Sequence, residues 1–150
     1  MFFAGCYGTP TPVAAPVAAA PPADASAIAF RQSMGELIEE FRVLANYLDG
    51  NPDLAGFSKR QDKVKDLLAR LPEAPTEGLA SKVEASKILG HMAAIEFNFG
   101  LDSRALSLNS KELLAKNMDL RKKIVADIRK QVALLTTLVA EQASPPQSPP

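Results

Sequence analysis

The feature that most constrains this chain is a long stretch near its C-terminus, residues 109–142, that contains neither glycine nor proline. Within it, seam positions recur at alternating spacings of four and three, which places them on one face of an α-helix in the heptad pattern of coiled coils. Asn109 can cap this helix while Glu112 reaches back to it, so we predict a helix over 109–142. Seven of the eight seam positions are apolar. The seam comprises Leu114, Met118, Arg121, Val125, Ile128, Val132, Leu135 and Val139.

Three further helices are predicted over residues 27–49, 53–71 and 79–100, each bounded by capping residues, proline or glycine. Residues 95–101 also alternate apolar and polar side chains, as a strand does, but no second strand exists for them to pair with. We therefore expect a helix there too, followed by a connector at 101–108. The first helix carries an unbroken apolar stripe, which consists of Phe30, Met34, Leu37, Phe41, Leu44 and Leu48.

The two ends of the chain differ in composition from the middle. Five of the twelve prolines lie in the first 25 residues, and the last seven residues are mostly proline and serine. We expect residues 1–25 and 143–150 to be disordered tails around a helical domain at 26–142. The predicted fold class is all-α: a four-helix bundle or paired helical hairpins, with a long C-terminal helix of coiled-coil type.

The composition disfavours most chemical functions. Lys plus Arg and Asp plus Glu both total 17, so no overall charge attracts nucleic acid. The single cysteine, Cys6, cannot form an intramolecular disulfide, and a single histidine, His91, supports few metal sites. A haem pocket around His91 and Met92 has only weak support, since methionine on a helical stripe is usually core packing. We expect no enzyme activity, no cofactor, no metal and no transmembrane span.

The predicted helix lengths point to a partner. At 1.5 Å per residue the first three helices would span roughly 35, 28 and 32 Å, and the fourth roughly 50 Å. About 15 Å of apolar stripe at the C-terminal end of the fourth helix, containing Val132, Leu135, Leu138 and Val139, would then project beyond the other helices. A large exposed apolar stripe marks an interface. The alternative is that the 101–108 connector or the N-terminal tail covers the excess. The residues predicted to bind a partner are Leu114, Met118, Arg121, Val125, Ile128, Val132, Leu135, Leu138 and Val139.

Two details of this interpretation stay open at the level of sequence. Arg121 occupies a seam position, so it should meet a carboxylate or lie near an exposed end, or else extend its aliphatic stem over the seam. The Phe30 to Leu48 stripe of the first helix serves either as the intramolecular face or as a second interface.

The leading hypothesis is a non-enzymatic helical subunit of a multiprotein complex, in the cytoplasm or nucleus, that binds protein partners as a homo- or hetero-oligomer. The alternative is a lipid-anchored bacterial envelope protein. Phe3-Ala4-Gly5-Cys6 is similar to the cleavage signature that precedes a lipidated cysteine, so Cys6 is a candidate lipidation site. Only five residues precede Cys6, however, too few for the apolar run of a signal segment.

Overall fold

The computed structural model describes residues 23–143, which form four α-helices, one short 3-10 turn and no strand. The predicted all-α fold is confirmed. Residues 23–25 belong to the first helix and not to a tail, while residues 1–22 and 144–150, including Cys6, lie outside the described residues. The elements are α1 (Ala23–Asp49), α2 (Leu54–Ala69), the 3-10 turn (Thr76–Gly78), α3 (Leu79–Ser107) and α4 (Lys111–Ala143).

The apolar stripe of α1 lies at the centre of the core. All six of its predicted residues, from Phe30 to Leu48, are at most 4% exposed. The stripe is therefore an intramolecular face, the first of the two alternatives that the sequence left open. Every turn of α1 from Phe30 to Leu48 contributes to this core because the 4/3 spacing keeps the large side chains on one side of the helix. The side chains packed against them include Phe57, Ile88, Met92, Ile95, Ile128 and Leu135.

α1 runs antiparallel to the C-terminal half of α4. Near the start of α1, Arg31 donates a hydrogen bond of 3.3 Å to the main-chain carbonyl of Gln142. At the end of α1, Arg129 of α4 forms an ion pair with Asp49 and donates a 2.9 Å hydrogen bond to Asn46. α1 therefore covers α4 from about residue 129 onward.

The turn from α1 into α2 is held by an aspartate cap. α2 begins at Leu54, one residue later than predicted, and Asp53 accepts a 2.6 Å hydrogen bond from the Gly56 N–H. That bond, together with a 3.0 Å bond from the Tyr47 hydroxyl, lowers the pKa of the Asp53 carboxyl. A lowered pKa means that the cap stabilises the fold at neutral pH and that this contribution is lost as the pH falls through the lowered value, below 3.8. A Cβ at residue 56 would lie 2.0 Å from the Tyr47 hydroxyl, so a larger residue there would displace the tyrosine that donates to Asp53.

α3 is longer than predicted because the expected connector is helical. The helix continues through Gly100 to Ser107, so the prediction of a connector at 101–108 is wrong. A glycine costs about 1 kcal/mol inside a helix, but contacts with α4 farther along α3 outweigh that local preference. The predicted end of α3 at residue 100 was based on Gly100 alone, and the packing of α3 against α4 outweighs the effect of that glycine.

The loop between α3 and α4 is a Schellman-type C-cap. Asn109 adopts a left-handed conformation with φ of 49°, and its N–H donates to the Leu106 carbonyl at 3.0 Å. The Ser110 N–H donates to the Ala105 carbonyl at 2.9 Å, which completes the motif. Ser110 also caps α4, since its hydroxyl accepts from the Leu113 N–H at 3.2 Å. The predicted cap at Asn109 is therefore wrong: Asn109 ends α3, and Ser110 begins α4.

The predicted projection at the C-terminal end of α4 is also wrong. α3 has 29 residues and α4 has 33, or about 44 and 50 Å, so the two helices nearly match. Val132 is 5% exposed and Leu135 is fully buried, both among side chains of the same chain. α1 and the first half of α3 supply the cover that the length argument assigned to a partner, since Gln131 and Gln142 of α4 donate hydrogen bonds to Glu84 and Ser81 of α3.

We expect Leu135→Ala to lower the free energy of unfolding by about 2–5 kcal/mol, because it leaves a cavity in the core. Met118→Ala should change it by no more than about 0.5 kcal/mol, because Met118 is half exposed. Urea denaturation of the two variants measures both values. Equal and small effects would show that Leu135 is not enclosed by its own chain.

The Asn109 conformation gives a second stability prediction. Asn109→Gly should leave the free energy of unfolding unchanged or raise it, since glycine adopts positive φ without steric cost. Asn109→Ala should lower it by about 1 kcal/mol. Thermal denaturation of this matched pair tests the loop geometry, and a more stable alanine variant would contradict it.

Candidate functional site

One end of the molecule is a helical hairpin that lacks cover from α1 and α2. At the level where α1 and α2 meet, Asp49 pairs with Arg129 and the ring of Phe57 lies 5.6 Å from that of Phe99. Farther out, among the described residues, no hydrogen bond, ion pair or ring contact joins α1 or α2 to residues 100–124. We call residues 100–124 the projecting end.

The projecting end carries an unusual share of exposed apolar surface. Of twelve large apolar side chains that are clearly exposed in the described part of the chain, five lie in this 25-residue segment. Phe97, which is 69% exposed, directly precedes it. This concentration marks the end as a candidate interaction surface, because single exposed apolar residues are ordinary but clusters are not. The five residues are Leu106, Leu108, Leu113, Met118 and Leu120.

These side chains lie on two sides of the hairpin. Leu106 follows Phe99 by seven residues, and Met118 precedes Val125 by seven, so both continue stripes that are buried lower in the bundle. Leu114, which is half-buried, lies on the same side as Met118, four residues away. We call the side that contains Leu106, Leu114 and Met118 the open groove.

The other side of the hairpin is also apolar. Leu113 and Leu120 are seven residues apart on α4 and are 39% and 43% exposed. Leu108, at the end of α3, is 60% exposed. The apolar surface therefore extends around the projecting end and is not confined to the open groove.

The structure divides the predicted partner-binding residues. Arg121, Val125, Ile128, Val132 and Leu135 are buried within the chain, so their assignment to a partner surface is corrected. Met118 is exposed, and Leu114, Leu138 and Val139 are half-buried. Packing against α1 and α3 explains the difference, because a heptad pattern predicts a buried seam but not whether the same chain or a partner covers it.

Sequence reasoning missed the exposed leucines of the projecting end: Leu106, Leu108, Leu113 and Leu120. One sequence feature could have revealed them: residues 101–108, predicted as a connector, contain three leucines, which is unusual for a solvent-exposed loop.

A buried polar cluster ties α3 to α4 at the base of the projecting end. Arg121 forms an ion pair with Asp102, and its Nε donates a 2.8 Å hydrogen bond to Asn98 Oδ1. Asn98 Nδ2 in turn donates to the main-chain carbonyl of Asn117 at 3.0 Å. The guanidinium carbon of Arg121 lies 4.3 Å from the centre of the Phe99 ring. Of the alternatives that the sequence left open for Arg121, the structure shows the first, a carboxylate partner.

This cluster fixes how the two helices are aligned. Arg121 is 8% exposed and Asn98 is fully buried, so a shift of α3 along α4 would leave both without partners. A buried polar group without a partner costs about 1–3 kcal/mol, and a buried charge costs more. The cluster therefore favours one alignment of α3 and α4, and with it one arrangement of the exposed leucines. It is not fully satisfied, since Asp102 Oδ1 is buried without a hydrogen-bond partner.

We expect Arg121→Leu to lower the free energy of unfolding by about 3 kcal/mol, because Asp102 would keep a buried charge without a partner. The double variant Arg121→Leu/Asp102→Leu should recover most of that loss, since both charges are then removed. Chemical denaturation of the two single variants and the double variant gives the coupling energy. Strictly additive losses would show that the two side chains do not act as a pair.

A second apolar surface is the groove between α1 and the C-terminal end of α4. It has a volume of about 440 Å³ and is lined by Ile28, Ile38, Val139 and Ala143, among others. Val139, one of the predicted partner-binding residues, faces this groove. Only Ile28 in its lining is a clearly exposed large apolar side chain, so the projecting end is the stronger candidate.

Other kinds of site find little support in the described region. Residues 23–143 contain no group of three or more His, Cys, Asp or Glu side chains arranged to hold a metal ion. None of the four helices contains a stretch long and apolar enough to cross a membrane.

Comparison with known proteins returned no similarity: no family model matches the chain, and neither does any curated protein or solved structure.

Proposed function

We propose that this chain is a helical interaction module, a subunit of a multiprotein complex that binds a protein partner through its projecting end. The observation that carries the proposal is the cluster of exposed leucines on a hairpin that α1 and α2 leave uncovered. Binding would follow coiled-coil-type packing, as predicted, but at the opposite end of α4 from the one that the sequence indicated.

The driving force for such binding is apolar burial. Moving a leucine side chain fully out of water contributes about 1.5–3 kcal/mol, and proportionally less for one that is already half covered. Leu106 is 65% exposed and Met118 is 53% exposed, so both retain much of this free energy for a partner. Interfaces are typically built around a few such side chains, surrounded by polar groups.

The hairpin is also suited to binding because its shape is fixed in advance. The Arg121 cluster and the Asn109 cap align α3 and α4 without help from a partner. A preformed surface loses less conformational entropy on association than one that must fold on binding.

Photo-cross-linking in the cells that produce the protein tests the proposal. A photoreactive phenylalanine analogue replaces Leu106 or Leu120, one on each side of the projecting end. We expect each position to give a cross-linked species of defined mass, because these residues would lie within an interface. The matched control is Val83, which is 57% exposed but lies in the first half of α3.

A pair of charge substitutions completes the test. The Leu106→Glu/Leu120→Glu variant should fail to co-purify with the cross-linked species, while Val83→Glu should retain it. Circular dichroism establishes that each variant is folded. Cross-linking at Val83 but at neither projecting position would contradict the proposal.

A further inference from the structure

The open groove continues a groove that α1 already occupies lower in the bundle. Val125 and Ile128 of α4, together with Ile95 and Phe99 of α3, are buried in the core to which α1 belongs. Past the end of α1 at Asp49, the same sides of α3 and α4 continue into the projecting end, where Leu106 and Met118 are exposed and Leu114 is half-buried. A helix placed on the open groove would therefore lie in line with α1 and continue the apolar contacts that α1 makes lower in the bundle.

The charge of the projecting end is distinctive. Residues 100–124 contain six Lys or Arg and three Asp or Glu, a net charge of +3, whereas the whole chain has a formal net charge of zero. The remainder of the chain therefore carries −3. The projecting end combines exposed leucines with a positive charge, and a partner should complement both properties.

Two of these lysines lie along the edge of the open groove. Lys111, Leu114, Met118 and Lys122 follow one another at spacings of three, four and four, which places them on one side of α4. Both lysines are exposed, and neither forms an ion pair with another described residue. Each is free to meet an acidic group on a helix that lies in the groove.

The same edge of α4 already holds α1 in this manner. Arg129, seven residues after Lys122, pairs with Asp49 and hydrogen-bonds Asn46 on α1. Nearer the start of α1, its polar contacts to α4 come instead from Arg31 and Arg42. The Asp49 pair therefore shows that a carboxylate of a neighbouring helix can meet a cation at this edge of α4, next to the open groove.

An acidic partner for these lysines is not found in the sequence on either side of the described residues, since residues 1–22 and 144–150 contain no Asp or Glu. A second copy that packed through the same groove about a two-fold axis would bring Lys111 and Lys122 close to their own equivalents, and like charges in an interface are unfavourable.

We infer that the open groove binds an acidic amphipathic helix of another protein, aligned with α1 and flanked by Lys111 and Lys122. The exposed length of α4 from Lys111 to Ile124 is about 21 Å, which corresponds to about four helical turns. This inference rests on the proposed function and adds the chemistry of the partner to it.

Synthetic helical peptides of about 16 residues test the inference. One carries leucines on one face with glutamates on both flanks, and its matched control has the same leucines with lysines on the flanks. Fluorescence anisotropy with the full chain should give a dissociation constant about tenfold lower for the glutamate peptide. That preference should weaken as sodium chloride is raised, because salt screens exposed charges.

Variants of the chain identify the groups responsible. Lys111→Glu/Lys122→Glu should reverse the preference in favour of the lysine peptide. Lys59→Glu/Lys65→Glu, which makes the same charge change at two exposed lysines of α2, should leave it intact. Leu106→Gln/Met118→Gln should weaken the binding of both peptides, because these residues line the groove.

The remaining outcomes separate the inference from the proposed function. Equal binding of both peptides, lost in Leu106→Gln/Met118→Gln, would overturn the acidic partner but leave the projecting end as a binding surface. Binding of neither peptide, or stronger binding of single-stranded RNA or anionic vesicles, would overturn the inference altogether. In each of these cases the cross-linking at Leu106 and Leu120 still decides independently whether the projecting end binds a protein.

Discussion

A pair of packed helices is covered only along the length of the helices that lie against it. In this protein α3 and α4 have 29 and 33 residues, whereas α1 and α2 have 27 and 16. α1 lies against the C-terminal half of α4, so the hairpin formed by α3 and α4 extends past the other two helices at its looped end. The exposed leucines, the buried polar cluster and the proposed interface all follow from this position of α1 along α4 and from the short length of α2.

The Arg121 cluster lies where the cover ends, and its position has a physical reason. An apolar contact between α3 and α4 tolerates sliding, whereas hydrogen bonds from Arg121 to Asn98 and Asp102 require one alignment. Phe99 connects this cluster to the core, since its ring contacts both Phe57 and the Arg121 guanidinium. Phe99 therefore joins the covered part of the bundle to the base of the uncovered hairpin.

Much of the fold could be predicted from local patterns. Apolar spacing located all four helices, and the Phe30 to Leu48 stripe is buried throughout. The extension of α3 past Gly100 could not be predicted, because its stability comes from contacts with α4 that are distant in sequence. The same error affected the prediction of the candidate site. Because residues 101–108 were expected to form a loop, the part of α4 that extends past the other helices was predicted to be its C-terminal half, which is in fact buried.

The ion pair of Arg121 was predictable in kind, since a buried guanidinium needs a carboxylate. Asp102 could not be identified as its partner, because residue 102 was expected to lie in a connector.

The central claim is that the chain encloses the core half of its long helices and leaves the looped end open to solvent. Three methionines report on it directly, because Met34 and Met92 are fully buried and Met118 is 53% exposed. Mild oxidation of the native protein with hydrogen peroxide, followed by peptide mass spectrometry, measures the rate at each of the three. The account predicts that Met118 is oxidised at least about tenfold faster than the other two. Oxidation of Met118 as slow as that of Met34 and Met92 would mean that the chain covers its own projecting end, and the case for a binding surface there would fail.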